Sequence, residues 1–493
     1  MGVQAGIISY DTAYIKQGGT VISMLDNTGD RANKANIDNI HNIVEAQRAY
    51  FATGATRSKA FRIDALKKLQ RAIRENEPML AEAMKRDLNK AHMEGYMCET
   101  GLVLEELSYH IKHAGKWMKE RRVHTPLSQF YAKSFISPEP YGVALIVGPW
   151  NYPVQLCLNP LIGAISAGNC AVIKPSAYAS NVSHAIARLI GDTFPREYIA
   201  VIEGGRAENQ ALFAERFDYI FFTGSVEVGK EVMRAAAEHL TPVTLELGGK
   251  SPVIVDKDAD IAMAARRIAF GKALNAGQTC VEPDYLFIHK SVKASFIEAY
   301  RQALDSFFPN GDMRDMATII SDKHYSRARS LMNEGDIVVG GSYDDERRFI
   351  APALIDIDAI GPDAAIMQQE VFAPILPMMS FEAIDQVIAF ITSRPKPLAF
   401  YLFTSSRATE KRFLSSCSFG GGCINDTIIH LASSALPFGG VGESGMGSYH
   451  GKRSFDTFTH ERSIVKKSTK VDLDMRYFPY SRRKLNIIKL FMK

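Results

Sequence analysis

The segment from Tyr141 to Ile173 contains no charged side chain, and this constrains the fold of the chain most strongly. A segment this apolar belongs in a membrane or in the centre of a large core. Pro149, Pro153 and Pro160 interrupt it together with Asn151, whereas a lipid-facing helix must satisfy its backbone groups internally. The segment therefore predicts a buried strand, a turn, a helix and a second strand in a globular protein.

Short apolar strands alternating with helices continue along the chain. Helical spacing indicates four helices before them, over residues 36–52, 57–75, 78–90 and 95–120. The strands of the first series are Val143–Val147, Ala171–Lys174, Ile199–Ile202, Tyr219–Phe222 and Thr241–Glu246. Those of the second are Pro252–Val255, Tyr285–His289, Ile337–Gly340, Ala399–Phe403 and Cys423–Asn425. Such alternation is typical of parallel sheets covered by helices, so we predict an α/β protein of two lobes.

Charge and cysteine content exclude several classes of protein. A net charge of +4 over 493 residues is too small to indicate nucleic-acid binding. The six cysteines include no C-x-x-C pair and no accompanying histidine cluster, so we expect neither a metal site nor a disulfide framework. The N-terminal sequence lacks the pattern of a secretory signal, and we expect a cytoplasmic protein.

Two residues suggest covalent catalysis. Cys280 follows Gly277 in a heptapeptide without charged side chains, and Glu246 stands between Leu245 and Leu247. A thiol in such a setting is a candidate nucleophile, and a carboxylate among leucines is a candidate general base. The alternatives are a buried structural cysteine and a strand-end carboxylate that pairs with Lys250 or with solvent.

Several motifs in order resemble those of the aldehyde dehydrogenase superfamily, in particular its class 3 branch of fatty and aromatic aldehyde dehydrogenases. The resemblance covers about residues 37–465, and any one of the motifs would be weak evidence. The motifs are Gly148–Pro153, Lys174–Ser176, Phe222–Ser225, Leu245–Lys250, Gly277–Cys280, Glu370–Pro374, Pro437–Gly442 and the class 3-like Gly445–Lys452.

The resemblance implies roles for three catalytic residues. Cys280 matches the nucleophile, which forms a thiohemiacetal with the aldehyde and then a thioester. The Asn151 side chain and the Cys280 backbone N–H match the oxyanion hole, although Asn151 also suits a turn before Tyr152. Glu246 matches the general base that activates water to hydrolyse the thioester.

The resemblance also implies an NAD or NADP site. Gly224, Ser225 and Gly229 begin a helix after a strand, which places a positive helix end near a pyrophosphate. Lys174 matches a ligand of the adenosine ribose, Glu370 a ligand of the nicotinamide ribose, and Phe372 a residue packed on the ring. The cofactor residues carried by the same motifs are Trp150, Ser176 and Leu247.

One departure from the family pattern bears on the cofactor. The family often has a glutamate after Lys-Pro-Ser, where it accepts hydrogen bonds from ribose hydroxyls, but here this residue is Ala177. Without this carboxylate a 2′-phosphate meets no repulsion, and Lys174 supplies a positive charge. The sequence therefore predicts that the enzyme uses NADP as well as NAD, and favours NADP.

The predicted boundaries follow the family architecture. Residues 1–35 form an extension, 36–123 and 141–246 a Rossmann-like cofactor domain, and 247–450 the catalytic domain. Residues 124–140 and 451–468 form a small β projection, which in this family joins two copies into a homodimer. Residues 469–493 form a basic tail. Leu485, Ile488 and Met492 recur there at helical spacing, which fits a packed arm or a peripheral membrane contact.

The predicted function is the NAD(P)-dependent oxidation of a hydrophobic aldehyde, aliphatic or aromatic, to the carboxylic acid. One alternative is an acylating or phosphorylating enzyme that transfers the thioester to coenzyme A or phosphate, but the presence of Glu246 favours hydrolysis. The other is a catalytically silent protein on the same scaffold, which the combination of Cys280, Glu246 and Asn151 disfavours.

Overall fold

Two sheets of mostly parallel strands form the body of the protein. The computed structural model describes residues 26–492. The strands are β1 Arg121–Val123, β2 Ala132–Pro140, β3 Val143–Val147, β4 Cys170–Lys174, β5 Ile199–Val201, β6 Tyr219–Gly224, β7 Val243–Leu247, β8 Pro252–Val255, β9 Tyr285–His289, β10 Asp336–Gly340, β11 Tyr343–Asp344, β12 Phe349–Ile350, β13 Ala353–Asp356, β14 Ile375–Phe381, β15 Ala399–Phe403, β16 Gly421–Ile424, β17 Gly445–Met446 and β18 Thr459–Lys467. This architecture confirms the predicted α/β fold of two lobes.

The helices lie between these strands and before them. They are α1 Asp26–Ala52, α2 Lys59–Glu75, α3 Glu77–Leu88, α4 His92–Gly95, α5 Gly101–Trp117, α6 Gln155–Ala167, α7 Ser180–Thr193, α8 Arg206–Ala214, α9 Val226–Ala237, α10 Ile261–Ala273, α11 Lys293–Phe307, α12 Asp322–Leu331, α13 Ile384–Thr392, α14 Arg407–Ser416, α15 Lys452–Thr457 and α16 Arg482–Phe491. Among residues 26–492, none of the helices is long and apolar enough to span a bilayer.

The six-stranded sheet has the order β17-β7-β6-β3-β4-β5, and only β17 is antiparallel to its neighbour. Strands β3 and β4 and helix α6 between them are buried at every residue, so the uncharged segment forms the centre of this lobe. The carboxyl ends of β6 and β7 lie side by side, with Thr223 in register with Glu246.

The seven-stranded sheet has the order β10-β13-β14-β9-β8-β15-β16, and only β10 is antiparallel. Strands β13 and β14 were missed from the sequence although they lie near the middle of the sheet. Strand β13 has only four residues, and β14 contains Pro377, which lacks the N–H that a central strand normally donates. Burial on both faces outweighs the lost hydrogen bond.

The antiparallel sheet β1-β2-β18 corresponds to the predicted projection, with corrected bounds. Its first strand begins at Arg121 rather than at residue 124, and the third begins only at Thr459. Residues 452–457, predicted as part of the projection, form helix α15 and pack on α5 and α6. The reason is that Phe455 is buried against Trp117 of α5.

The predicted N-terminal extension also needs correction. Helix α1 begins at Asp26, ten positions before the predicted start at residue 36. Residues 26–35 are almost entirely polar, so no apolar periodicity could reveal this first part of the helix. The rest of the predicted extension, residues 1–25, lies outside the described residues.

Candidate active site

Cys280 lies in a loop that follows helix α10 and has an unusual backbone. Asn275, Ala276 and Gly277 all have positive φ angles, of 51°, 51° and 66°. Asparagine and glycine adopt this conformation most readily, and a Cβ on Gly277 would lie 2.4 Å from the backbone of Ala373. The three left-handed residues fold the chain back on itself and expose Cys280 to two cavities.

The first cavity, the polar cavity, has a volume of about 540 Å³ and lies between the lobes. It brings together most of the predicted site, from motifs that are far apart in the sequence. The predicted residues that line it are Trp150, Asn151, Gly224, Ser225, Glu246, Leu247, Cys280, Glu370 and Phe372.

The second cavity, the apolar cavity, has a volume of about 150 Å³ and opens on the other side of the thiol. Cys280 and Leu156 line both cavities, so Cys280 is the reactive group that they share. Most of the remaining wall is aliphatic or aromatic, including Leu102, Phe270, Leu274, Ile428, Phe438 and Tyr449. An apolar molecule that enters this cavity reaches the sulfur atom opposite the polar cavity.

The Asn151 side chain is buried beside the nucleophile loop. Its Nδ2 donates a hydrogen bond to the carbonyl of Gln278, 2.9 Å away and two residues before Cys280. Its backbone carbonyl accepts a hydrogen bond from Asn275 Nδ2 at 2.9 Å. These bonds hold the amide against the loop and leave its second N–H free to serve another acceptor.

Glu246 is a buried carboxylate without a counter-ion. It lies near the end of β7 with 3% of its surface exposed, and neither oxygen has a hydrogen-bond partner among the described residues. Burial therefore raises the pKa of Glu246 well above its ordinary value. The alternative partner, Lys250, instead binds Asp284 and the carbonyls of Ile366 and Gln369.

The Cys280 thiol is neutral in this resting arrangement. Burial raises its pKa above the ordinary value for cysteine, and the nearby carboxylates of Glu370 and Glu246 raise it further. A thiol of this kind needs a neighbouring base to take its proton before it attacks. Glu246 lines the same cavity as Cys280 and interacts with it electrostatically.

The start of helix α9 forms one wall of the polar cavity. Gly224 ends strand β6, and the Ser225 Oγ caps the helix by accepting a hydrogen bond from the N–H of Val228 at 3.4 Å. One turn later, a Cβ on Gly229 would lie only 2.8 Å from Leu247 Cδ2. Glycine at this position lets the helix pack closely on β7, so its positive end faces the cavity and suits a phosphate.

On the opposite wall, two aromatic rings and a carboxylate come together. Glu370 Oε1 accepts a hydrogen bond from the Gly249 N–H at 3.3 Å, and burial raises the pKa of Glu370 to about 8. The Phe372 ring lies edge-on to Trp150 with ring centroids 5.4 Å apart. A ribose and a planar heterocycle fit hydrogen-bonding and stacking surfaces of this kind, so the residues present suit a nicotinamide nucleotide.

Lys174, Ser176 and Ala177 do not line the polar cavity and lie at the carboxyl end of the more distant strand β4. Lys174 is buried, and its Nζ donates hydrogen bonds to the carbonyls of Pro175 and Gly204 at 2.7 and 2.6 Å. Ala177 is exposed. These three residues therefore lie outside the polar cavity, and their predicted role at the adenosine ribose stays a prediction.

Comparison with known families agrees with this geometry. The sequence profile described as the aldehyde dehydrogenase family matches residues 24–464.

The chain belongs to the aldehyde dehydrogenase family.

As predicted from its motifs, it is an NAD(P)-dependent aldehyde dehydrogenase of the class 3 type.

Similar aldehyde dehydrogenases are found in bacteria and mammals. The 4,4′-diaponeurosporen-aldehyde dehydrogenase of Staphylococcus aureus is 49% identical over 92% of this chain and 100% of its own. The dimeric NADP-preferring aldehyde dehydrogenase of Rattus norvegicus is 42% identical over 88% of this chain and 95% of its own. A solved structure of a substrate-bound AldH from Staphylococcus aureus superimposes with a TM-score of 0.90, at 49% identity, over 92% of this chain and 99% of that chain.

Part of the polar cavity of this aldehyde dehydrogenase carries no recognisable sequence signal. His324 lies 4.9 Å from Trp150 between ring centroids, and Arg327 donates a hydrogen bond to the Glu370 carbonyl at 3.0 Å. Burial lowers the pKa of His324, and the charges of Arg327 and Lys323 lower it further. All three lie on α12, where a run of charged residues gave no signal that distinguishes a site from a solvated helix.

Proposed function

We propose that this aldehyde dehydrogenase oxidises a hydrophobic aldehyde to the carboxylic acid through a thioester on Cys280. The observation that carries the proposal is the position of Cys280 between an apolar cavity and a polar cavity. The apolar cavity admits the aldehyde chain, and the polar cavity presents the groups that suit a nicotinamide nucleotide and water. Medium-chain or long-chain aliphatic aldehydes and aromatic aldehydes match the apolar lining.

In the first half of the reaction, Glu246 takes the Cys280 proton and the sulfur attacks the aldehyde carbon. The negative charge that develops on the aldehyde oxygen is stabilised by the Asn151 amide and the Cys280 backbone N–H. The chemistry that NAD or NADP would supply when bound is acceptance of the hydride from this carbon. Trp150, Phe372 and Glu370 would hold the nicotinamide half of the nucleotide in the polar cavity.

In the second half, water hydrolyses the thioester. Once Glu246 has released the Cys280 proton to solvent, it removes a proton from the water as the water oxygen attacks the acyl carbon, and the Cys280 sulfur leaves with the bond electrons as a thiolate. Burial raises the pKa of Glu246, which makes its carboxylate a stronger base for this step than an exposed glutamate would be. Glu246 also favours hydrolysis over transfer of the acyl group to coenzyme A or phosphate.

An aldehyde panel tests this proposal. Wild-type enzyme and Cys280→Ala are assayed with straight-chain aldehydes of increasing length and with benzaldehyde, each with NAD and with NADP. We expect kcat/KM to rise with chain length and Cys280→Ala to form no reduced nucleotide. Coenzyme A is added in parallel, and formation of an acyl-coenzyme A product would contradict hydrolysis by Glu246. A wild-type enzyme inactive across the panel would support the silent-protein alternative.

We also propose a preference for NADP. It rests on Ala177, which leaves no carboxylate to repel a 2′-phosphate, and on the similarity to a rat enzyme described as NADP-preferring. Lys174 and Ser176 lie in the same motif and would bind the adenosine ribose. The hydrogen bond from Lys174 to the Gly204 carbonyl must then break, as the Lys174 side chain rotates towards the bound nucleotide.

For the assembly, we propose a homodimer that forms through the projection sheet. Strand β18 pairs with β2 along nine residues and leaves its other edge unpaired among the described residues. Val465 on this strand is 56% exposed. An unpaired edge with apolar side chains is a suitable surface for a second copy, and the rat relative is described as dimeric.

The tail supports a further proposal, peripheral contact of this cytoplasmic enzyme with anionic membranes. Ile488 and Met492 line a cavity against Leu127 and Phe130 of the projection, as a packed arm would. Leu490, however, is 65% exposed beside the cations of the same helix. Exposed apolar and basic side chains on one short helix are typical of a surface that touches anionic lipid.

A further inference from the structure

A buried ion pair lies behind the two loops that carry Asn151 and Cys280. Lys90 Nζ donates to Glu99 Oε1 at 2.6 Å, and both side chains are fully buried. Burying two charges costs several kcal/mol per ion, which their mutual attraction offsets only with good geometry and further hydrogen bonds. A pair in this position therefore needs an explanation in terms of what else it contacts.

Both members of the pair contact the segment that begins at Asn151. Lys90 Nζ also donates to the Asn151 backbone carbonyl at 3.1 Å and lies 4.3 Å from the centre of the Tyr152 ring. The second oxygen of Glu99 accepts hydrogen bonds from the Val154 N–H at 2.8 Å and from a second N–H at the start of α6. The pair thus fixes the backbone of this segment at both of its ends.

The shape of the helix explains how Glu99 reaches this position. Helices α4 and α5 are joined by a π-helical turn over Tyr96–Thr100. A π turn inserts an extra residue and redirects the side chains that follow, and such turns are frequent at functional sites. From the same region Glu94 accepts a hydrogen bond from the Asn275 N–H at 3.0 Å, so the segment contacts the nucleophile loop as well.

The two loops also bind each other. Asn275 Nδ2 donates to the Asn151 carbonyl, the same oxygen that accepts from Lys90, and Asn151 Nδ2 donates to the Gln278 carbonyl. Because the Asn151 backbone is held by two donors on its carbonyl, its side-chain amide has a defined direction relative to Cys280. Among the described residues, neither member of the ion pair forms a hydrogen bond with the thiol itself.

We propose that Lys90, held by Glu99, is a positioning residue that sets the direction of the Asn151 amide towards the developing oxyanion. The inference rests on the proposed role of Asn151. Lys90 itself lines neither cavity, so it acts on the reaction only through the segment that it contacts, Asn151 and Tyr152. Loss of a single oxyanion donor typically lowers kcat by about 100-fold to 1,000-fold, and partial misalignment lowers it less.

A double-mutant cycle tests the inference in the full-length enzyme. Lys90→Met, Asn151→Ala and the double variant are compared with wild type for kcat/KM with one aldehyde. We expect Lys90→Met to lower kcat/KM about tenfold or more in wild type, and less than about twofold in the Asn151→Ala background, because residues that act as a unit are not additive. An equal loss in both backgrounds would overturn the proposal.

A second readout separates positioning from general damage to the loop. This readout is the rate at which iodoacetamide alkylates Cys280, followed by mass spectrometry of the peptide that contains Cys280. Alkylation of the thiol forms no oxyanion. We therefore expect the alkylation rate of Lys90→Met to stay within about twofold of wild type. A parallel fall in the rates of alkylation and oxidation would overturn the proposal in favour of a purely structural role.

Two further variants serve as controls. Lys90→Met leaves the buried Glu99 without its cationic partner, so Lys90→Met/Glu99→Gln, which removes both charges, is carried through the same cycle in case the single variant does not fold. Lys85→Met, on the exposed face of α3, should match wild type. If Asn151→Ala alone leaves kcat/KM unchanged, both the proposed role of Asn151 and this inference are wrong. If Asn151→Ala does lower kcat/KM but the effects of the two substitutions are additive, this inference is wrong and the proposed role of Asn151 stands.

Discussion

At the scale of single residues, the site contains titratable groups whose charged forms are disfavoured by burial. Glu246 is a carboxylate with no counter-ion among the described residues, and Cys280 is a thiol whose neighbours are carboxylates. Both environments raise the pKa of the group. Glu246 has the larger consequence for the reaction, because only its deprotonated form can act as the base in either half.

Replacing Glu246 with glutamine should impair both halves of the reaction. Glu246→Gln keeps the size of the side chain but cannot take a proton from Cys280 or from water, so we expect kcat to fall about 100-fold or more. A stopped-flow trace should show no burst of reduced nucleotide, because the first half then lacks its base. Glu238→Gln, on the exposed end of α9, serves as the control. An unchanged kcat in Glu246→Gln would contradict the role of Glu246.

The raised pKa of Glu246 also predicts the direction of the pH profile. The base is active when deprotonated, and its pKa lies above the ordinary value for glutamate. The value of kcat should therefore fall as the pH falls through this raised pKa, well before an exposed glutamate would titrate. The measurement is kcat against pH for wild type and Glu246→Gln. The acidic limb should be absent from the variant, and its persistence would assign the limb to another group.

Ala177 is the residue-scale test of cofactor choice. Ala177→Glu restores the carboxylate that many family members carry, and this charge would repel a 2′-phosphate. We expect kcat/KM for NADP to fall about tenfold or more while that for NAD stays equal or rises. Ala177→Gln, which has the same length without the charge, is the matched control. A wild-type enzyme with kcat/KM for NAD well above that for NADP would contradict the proposed preference.

At the scale of elements, the close contact between α9 and β7 shapes the polar cavity. Gly229 is the point of closest approach because Leu247 Cδ2 occupies the space that a Cβ would need. The same strand carries Glu246, so a shift of the helix would move both the anion-binding helix end and the base. Gly191 in α7 is a useful comparison, because a Cβ there would meet no atom within 4 Å.

Gly229→Ala should therefore weaken nucleotide binding as well as stability. Overpacking of this kind costs about 1–3 kcal/mol, which thermal denaturation would report as a lower Tm. The KM for NADP should rise more than the KM for the aldehyde, because the helix end faces the nucleotide. Gly191→Ala should be neutral or slightly stabilising. Equal Tm values and equal KM values for NADP in the two variants would show that the contact between α9 and β7 does not matter for stability or nucleotide binding.

At the scale of the whole molecule, the projection and the tail extend the enzyme beyond its two lobes. Helix α16 packs against the projection through Ile488 and Met492, while Lys484 binds Asp474 at 3.1 Å. The remaining cations of the helix make no ion pair among the described residues. They are therefore the charges available to an anionic surface.

Charge reversal in the tail tests the membrane proposal without removing the helix. Arg482→Glu/Arg483→Glu/Lys489→Glu should lose co-sedimentation with vesicles of anionic phospholipid, since each basic residue near such a surface contributes about 1 kcal/mol. Wild-type enzyme should pellet with these vesicles at low salt and less at high salt. Lys411→Glu on the exposed face of α14 is the control. Equal pelleting of all variants would contradict the proposal.

Much of this protein follows from its sequence. Uncharged strands and helices can only be stable when buried, so the segment 141–173 predicted the core of the first lobe from local composition alone. The ordered motifs identified the family and nominated Cys280, Glu246 and Asn151. Local patterns failed where the signal was weak, as in the short strand β13, in β14 with its proline, and in the polar start of α1.

Only the tertiary structure decided how these residues act together. Lys250 binds Asp284, and Glu246 has no counter-ion among the described residues. Cys280 borders two cavities, whereas Lys174 lies outside the polar cavity. Lys90 also contacts Asn151 across the fold. The physical reason is that burial, pKa and hydrogen-bond partners depend on neighbours distant in sequence, whereas local patterns report only which residues prefer to be buried or to turn.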